Sequence, residues 1–273
     1  MCLALAGHGC GEGPETPKYV RELAVFGYLY VGEAVSESNP IYLSRTQPID
    51  QVYDFGRAAV TGALVTLTAA GGEPETLRAL PTNGFYGDEN IVIQEGTLYT
   101  LFIRTREGEE AWASTTTPTR LELVSGPPQL GTLDPAEIPE RYPILFHCPD
   151  PDQILLLDTF CQENWEDARY INPIGPNEKV EDYDEYGGAA GPPRHLQIWF
   201  QARVLERAGP AWRIGWYGDM MVFWGGYQIY LMSIDDNYYN YLYRDRPETH
   251  GGIYGGIGVF GSAHRLYWVV RLG

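Results

Sequence analysis

Hydrophobic and polar residues alternate with a period of two along most of this chain, which is typical of β-strands whose side chains point to opposite faces. The segments with this alternation, or with a short apolar run of strand length, are residues 23–31, 63–67, 96–103, 154–157, 196–204, 212–216, 227–234 and 266–272. Short strands about ten residues apart are typical of β-sandwiches. We therefore predict an all-β protein.

The alternation is interrupted at residues 125–140, which contain four prolines and two glycines. This break predicts residues 1–18 as a leader and tether, 19–124 as an N-terminal β-sandwich, 125–140 as a linker, and 141–273 as a second β-rich domain. The acidic, glycine-rich residues 178–193 are predicted to form a surface loop.

One short helix is predicted in the second domain. Asp235 or Asp236 suits its N-cap, and Pro247 suits its end. Tyr238, Tyr241 and Leu242 then share one helix face.

The N-terminus resembles the end of a secretory signal. A short apolar run closes with a small residue before Cys10, as at a bacterial lipoprotein processing site, but no basic residue precedes Lys18. We predict that Cys10 carries a lipid anchor and that residues 11–16 form a flexible tether. An ordinary N-terminus and a cleaved signal without lipid remain alternatives.

Two cysteines, Cys148 and Cys161, lie in the predicted folded part of the chain and flank the turn residues 149–152. In an exported protein this arrangement predicts a disulfide, and two unpaired buried thiols are the alternative. Their spacing does not match a zinc site.

The formal net charge of −17 makes nucleic acid and an anionic bilayer poor partners. Residues 256–261 match the G-x-G-x-x-G pattern, but the twelve residues that follow have the alternation of a strand rather than a helix. A dinucleotide site requires a strand before the glycines and a helix after them. We therefore interpret the glycines as a turn or bulge that allows close backbone approach.

No established catalytic motif is present: the five histidines lack HExxH spacing and no serine lies in G-x-S-x-G. Clustered acidic residues offer oxygen ligands for calcium, but none fits an EF-hand loop. These acidic residues are Asp150, Asp152, Asp158, Asp182, Asp184, Glu185, Asp235 and Asp236. We expect a protein that is not an enzyme and that has no cofactor and no metal site. A hydrolase without a recognisable motif is a weaker alternative.

Aromatic residues make up 13% of the chain. Aromatic side chains stack on sugars and anchor protein interfaces. From the C-terminal half we select Trp212, Trp216, Trp224 and Tyr254 as candidate contacts for a partner or a glycan. The alternative is that these rings fill the core.

Residues 233–242, a strand end followed by a Tyr-rich segment, and the glycine-rich residues 255–261 resemble the end of a lipoprotein family. This is the Bacteroidetes-type family catalogued as domain of unknown function 4249. Residues 43–46, 63–67 and 96–101 resemble the front half of the same family.

The resemblance implies an outer-membrane lipoprotein with an immunoglobulin-like or prealbumin-like N-terminal sandwich. Such proteins are often encoded beside TonB-dependent transporters, and the family offers no catalytic residues to carry over. We therefore expect a non-enzymatic, lipid-anchored accessory or structural subunit of an envelope complex, with a TonB-dependent transporter barrel as partner. The alternative is a surface lipoprotein that binds carbohydrate and captures glycans for import.

Overall fold

A computed structural model describes residues 19–163, 169–171 and 195–273 of the chain. The predicted anchor Cys10 and the predicted loop 178–193 lie outside these residues. The fold class is confirmed as all-β, with 50% of the described residues in strands and 13% in helices.

The first half contains ten strands and a one-turn helix. Their bounds are β1 Leu23–Tyr30, β2 Ala34–Val35, β3 Ile41–Arg45, α1 Phe55–Ala58, β4 Leu64–Ala69, β5 Glu75–Ala79, β6 Phe85–Val92, β7 Leu98–Arg104, β8 Glu110–Thr116, β9 Glu122–Ser125 and β10 Gly131–Leu133.

The second half contains a further one-turn helix, nine strands and a two-turn helix among its described residues. Their bounds are α2 Ile138–Arg141, β11 Ile144–His147, β12 Ile154–Cys161, β13 Arg169–Tyr170, β14 His195–Gln201, β15 Glu206–Ala208, β16 Ala211–Ile214, β17 Phe223–Ile234, α3 Asp236–Tyr243, β18 Ile253–Tyr254 and β19 Ile257–Leu272.

One large curled sheet runs through both halves of the chain. Its strand order is β14-β12-β17-β19-β1-β3-β6-β5-β4-β7-β8-β18, with β2, β10 and β13 paired beside this path. The two halves meet where β1 pairs in parallel with β19, from Ala24 opposite Ile257 to Tyr30 opposite Ala263. A smaller sheet has the order β15-β16-β11-β9.

Three hydrophobic clusters fill the space between these layers. The first lies inside the curl, where β1, β3 and β6 face β4, β7 and β8. The second lies between the small sheet and one face of β12, β17 and β19. The third lies on the opposite face of those strands, under α3. The part of the large sheet around β12 and β17 is therefore covered on both faces.

The glycine-rich motif serves this internal packing. Gly258 has a φ of +113°, and a Cβ there would lie 2.0 Å from the carbonyl oxygen of Val25 on the neighbouring β1. The motif passes directly into β19 rather than into a helix. The predicted close backbone approach is confirmed, but residues 257–261 form the start of β19 in regular register with β1 rather than a turn or bulge.

The predicted helix is also confirmed. The side chain of Asp235 accepts a hydrogen bond from the backbone N–H of Tyr238 and so caps α3. The helix ends at Tyr243, four residues before the predicted stop at Pro247, and a short 3-10 turn follows at Pro247–Thr249.

Residues 125–140, predicted as a linker, contribute β10 to the large sheet and then a 3-10 turn and α2. The predicted division into two domains stays a prediction. Among the described residues, no helix has the length and apolar character needed to cross a membrane.

Candidate functional site

The structure separates the four predicted contact residues. Trp212 is 5% exposed; its indole N–H donates to the carbonyl of Cys148 at 3.2 Å, and Arg207 lies over its ring. Trp216 is half-buried and packs edge-on against Phe200. Both tryptophans pack where the small sheet and its adjoining 3-10 turn cover the core, and their role as contacts for a partner stays a prediction.

Trp224 and Tyr254 remain accessible but lie in different parts of the fold. Trp224 is 37% exposed and lines a cavity of about 530 Å³ together with Ile171 and Met221. Tyr254 is 62% exposed on β18, at the opposite end of the strand order from β14. These two residues therefore do not form one surface.

Tyr254 forms an exposed aromatic pair with Trp112 of β8. The two residues lie directly opposite each other on neighbouring strands, and their rings stack with centroids 5.9 Å apart and planes 9° apart. Trp112 is 50% exposed. Phe102 of β7 lies opposite Trp112 on its other side, half-buried. We call Phe102, Trp112 and Tyr254 the edge aromatic row.

A second exposed group of rings lies on the face of the large sheet that α3 only partly covers. Strand pairing places His195 opposite Phe160, Gln197 opposite Asp158, and Trp199 opposite Leu156. We call this surface the Trp199 patch. Its members are Asp158, Phe160, His195, Gln197, Trp199, Tyr230, Tyr243 and Tyr267.

Asp158 is the buried polar centre of the Trp199 patch, with only 9% of its surface exposed. Its Oδ2 accepts a hydrogen bond from Nε2 of Gln197 at 2.9 Å. Its Oδ1 lies 2.6 Å from Nε2 of His195, but within the described residues no donor reaches this oxygen in hydrogen-bond geometry. A buried carboxylate oxygen without a hydrogen bond is costly and requires an explanation.

The aromatic rings of the patch are held by their neighbours. Trp199 packs edge-on against Tyr239 of α3, with centroids 4.8 Å apart, and also contacts Tyr243. Tyr230 and Tyr267 stack with centroids 4.8 Å apart. The exposed fractions of Trp199, Tyr243 and Tyr267 are 42%, 38% and 42%.

Burial raises the pKa of the hydroxyl groups of Tyr230 and Tyr243, and the negative charge of Asp158 adds to the increase in both. These hydroxyls are therefore protonated at neutral pH and can donate hydrogen bonds. The sheet thus places hydroxyl, amide and imidazole groups among exposed rings.

An aspartate beside a histidine also occurs in hydrolases, where the acid orients a base that activates a nucleophile. The contacts of His195 within the described residues are with Asp158 and Phe160, and none is with a serine, threonine or cysteine side chain. The pair alone does not form a triad.

The predicted disulfide between Cys148 and Cys161 is wrong: the structure shows two buried free thiols. Cys148 follows β11, and its thiol donates to the carbonyl of Asp150 in the turn before β12. Cys161 ends that eight-residue strand, which spans about 23 Å. A disulfide needs Cα atoms within about 7 Å, so β12 keeps the two thiols apart.

The acidic residues considered as calcium ligands have structural partners. Asp152 pairs with Arg203 at 2.7 Å, and Asp235 caps α3. Within the described ranges, no three His, Cys, Asp or Glu side chains are arranged to bind one metal ion. Asp182, Asp184 and Glu185 lie outside the described residues.

Sequence reasoning missed the exposed aromatic residues Trp112 and Trp199. A usable signal was present in residues 195–201, where the alternation places His195, Gln197 and Trp199 on the face opposite the apolar one. Only the apolar face entered the prediction. The side of a strand that faces solvent depends on the layers that cover the sheet, and the period alone does not determine it.

No protein-family model matches the chain, and no curated protein sequence matches it. Membership of the lipoprotein family that the sequence resembles therefore stays a prediction.

Proposed function

We propose that the protein is a non-enzymatic accessory subunit of a cell-envelope complex, and that it docks onto a partner protein through the edge aromatic row. The observation that carries this proposal is the stacked, exposed pair of Trp112 and Tyr254. Large rings held in one orientation lose little entropy on binding and are enriched at protein interfaces.

The position of the row supports docking. Trp112 and Tyr254 lie at the end of the strand order of the large sheet, so a partner can approach from the side as well as from the face. The neighbouring exposed pair Thr100 and Ser114, whose hydroxyl groups lie 3.2 Å apart, supplies hydrogen-bonding groups beside the rings. An aromatic centre with a polar rim is the usual composition of an interface.

The remaining parts of the proposal come from the sequence. The apolar N-terminal run before Cys10 supports a lipid anchor in the outer membrane, and the resemblance to the lipoprotein family supports a TonB-dependent transporter barrel as the partner. The proposed complex holds the soluble β fold beside the barrel by the anchor and by the edge aromatic row together.

The test is extraction from the native membrane in several mild detergents, followed by native sizing and identification of companions by mass spectrometry. We expect a barrel protein to co-purify with the wild type and to be lost from the double variant Trp112→Ala, Tyr254→Ala. Ile49→Ala, which truncates a fully exposed residue elsewhere, is the matched control. Elution of the wild type alone in every detergent contradicts the proposal.

A second candidate function, the capture of glycans, is favoured by the Trp199 patch. This patch combines exposed rings with amide and imidazole groups, and it lies near the end of the strand order opposite the edge aromatic row. The two functions use different surfaces, so each can be tested separately.

A further inference from the structure

We infer that the Trp199 patch is a binding site for neutral saccharides, in which Trp199 stacks on a sugar ring while His195 and Gln197 accept hydrogen bonds from sugar hydroxyls. This inference rests on the second function proposed above and assigns its site. It is independent of docking through Trp112 and Tyr254.

The chemistry of a sugar matches the lining of the patch. One face of a pyranose ring is made of C–H groups and packs on an aromatic ring, whereas its equatorial hydroxyls need nearby planar polar groups. Trp199 is followed along the same face of β14 by Gln197 and then by His195, each separated by two residues. Residues two apart on a strand lie about 7 Å apart. A ring and its adjacent polar groups therefore span the dimensions of one or two sugar units.

Asp158 is a positioning residue in this arrangement. Because Nε2 of Gln197 donates to Asp158, the amide oxygen of Gln197 is left as an acceptor. Because Nε2 of His195 faces the same carboxylate, Nδ1 lies on the far side of an imidazole whose side chain is 50% exposed. Gln197 therefore presents an acceptor, and His195 an exposed ring nitrogen, to ligand hydroxyls.

The second carboxylate oxygen of Asp158 contacts His195 and so places it beside Gln197. The Asp158 side chain is 12% exposed, and its Oδ1 lies 2.6 Å from Nε2 of His195.

The charge of the site favours a neutral ligand over an anionic one. Arg265, opposite Met232 in the sheet, binds both carboxylate oxygens of Glu33 with its guanidinium, at 2.7 and 2.6 Å. The formal net charge of −17 repels polyanions as a whole.

The test is affinity electrophoresis of the intact protein in native gels that contain hydroxyethylcellulose, laminarin, amylopectin or galactomannan, with polygalacturonate as the anionic comparison. We expect retardation by at least one neutral polymer and none by polygalacturonate. Calorimetry with the hexasaccharide of that polymer then gives the dissociation constant.

The variants separate stacking from hydrogen bonding. We expect Trp199→Ala to weaken binding at least tenfold, Trp199→Phe to retain part of it, and Gln197→Ala to weaken it several-fold. Tyr53→Ala, which removes an exposed ring that belongs to neither surface, is the control and should bind as the wild type does. Thermal melting of each variant shows whether the fold is retained.

Three outcomes overturn the inference: no neutral polymer retards the wild type, only polygalacturonate does, or Trp199→Ala and Gln197→Ala both bind as tightly as the wild type. Loss of a co-purifying barrel from Trp199→Ala, without any saccharide binding by the wild type, would assign the patch to a protein partner instead. Failure of the docking proposal shows separately, in elution of the wild type without a companion and in variants of Trp112 and Tyr254.

Discussion

Asp235 joins three parts of the fold through one carboxylate. Its Oδ1 accepts the backbone N–H groups of Tyr238, in α3, and of Ser262, in β19, at 3.0 and 2.9 Å. Its other oxygen accepts the hydroxyl of Thr115 in β8. The sequence identified this residue as a possible helix cap, but its link to the first half of the chain depends on the tertiary fold.

Replacing Asp235 with Ala should destabilise the protein by about 2–4 kcal/mol, because three hydrogen bonds to a carboxylate, one of them the helix cap, are lost together. Denaturant unfolding at neutral pH measures the change. Asp236→Ala, which removes the exposed neighbouring carboxylate, should cost less than about 0.5 kcal/mol. Equal losses for the two variants would contradict the role of Asp235.

Asp235 also predicts a pH dependence. Burial raises the pKa of its carboxyl group above the ordinary value of 3.8, although hydrogen bonds from Thr115, Ser262 and Tyr238 oppose the increase. The folded state therefore holds this proton more tightly than the unfolded state, and the resulting stabilisation declines as pH rises through the folded-state pKa.

Asp235→Asn removes this titration while keeping the side-chain shape. The free energy of unfolding of the wild type, minus that of Asp235→Asn, should be largest below about pH 3.8. The difference should then fall with rising pH and become constant above the folded-state pKa. A difference that increases with pH over this range would show that the carboxyl is not destabilised by burial.

Gly258→Ala should destabilise the protein by about 2–5 kcal/mol, because the new Cβ meets a carbonyl oxygen of β1 and the residue has a positive φ. Gly71→Ala is the matched control: Gly71 also has a positive φ, but no atom lies within 4 Å of its Cβ position. This variant should lose only about 1–2 kcal/mol of backbone strain. Thermal or denaturant unfolding of both variants isolates the steric term.

At the scale of elements, strand positions were predictable from the sequence but their surroundings were not. The alternation located β1, β7, β12 and β17 within a few residues. It did not show that β14 forms an end of the strand order, where Ile198 is 43% exposed although it belongs to the apolar face. The period of two assigns residues to two faces of a strand, but which face is buried depends on the layers that pack against the sheet.

Because β12 separates Cys148 from Cys161, we expect both cysteines to be free thiols. After alkylation in denaturant without reductant, we expect peptide mapping to find both Cys148 and Cys161 alkylated. In the native protein, Cys148 should react slowly, because burial raises its thiol pKa to about 11 and the thiolate is the reactive form. A peptide that joins residues 148 and 161 through a disulfide would contradict the structure.

At the scale of the whole molecule, local sequence patterns cannot show that the first strand of the chain pairs with the last. Residues 23–30 and 257–272 are more than 200 positions apart, yet they form the parallel pair that continues the large sheet. The glycine-rich start of β19 gave a signal for close backbone approach, but it did not identify the partner strand. Both candidate surfaces likewise combine residues from distant segments, Trp112 with Tyr254 and Asp158 with His195.

The parallel pair of β1 and β19 predicts that residues 19–124 and residues 125–273 stabilise each other. The backbone N–H of Val31 donates to the carbonyl of Ala263 at 2.8 Å. The backbone N–H of Leu121 donates to Nδ1 of His264 at 3.0 Å. Phe260 of β19 is fully buried in the hydrophobic cluster where β1, β3 and β6 face β4, β7 and β8. Removal of β19 therefore exposes both the core and an unpaired edge of β1.

We expect the fragment 19–124 to lack a cooperative unfolding transition by itself, and to regain fixed tertiary structure when mixed with the fragment 125–273. Near-ultraviolet circular dichroism and denaturant unfolding of each fragment and of their mixture measure this, with the intact chain as control. The intact chain should unfold in one transition, because a shared sheet couples the two halves. If fragment 19–124 unfolds cooperatively alone, at the midpoint of the intact chain, the N-terminal sandwich is an independent domain and β19 contributes little to its stability.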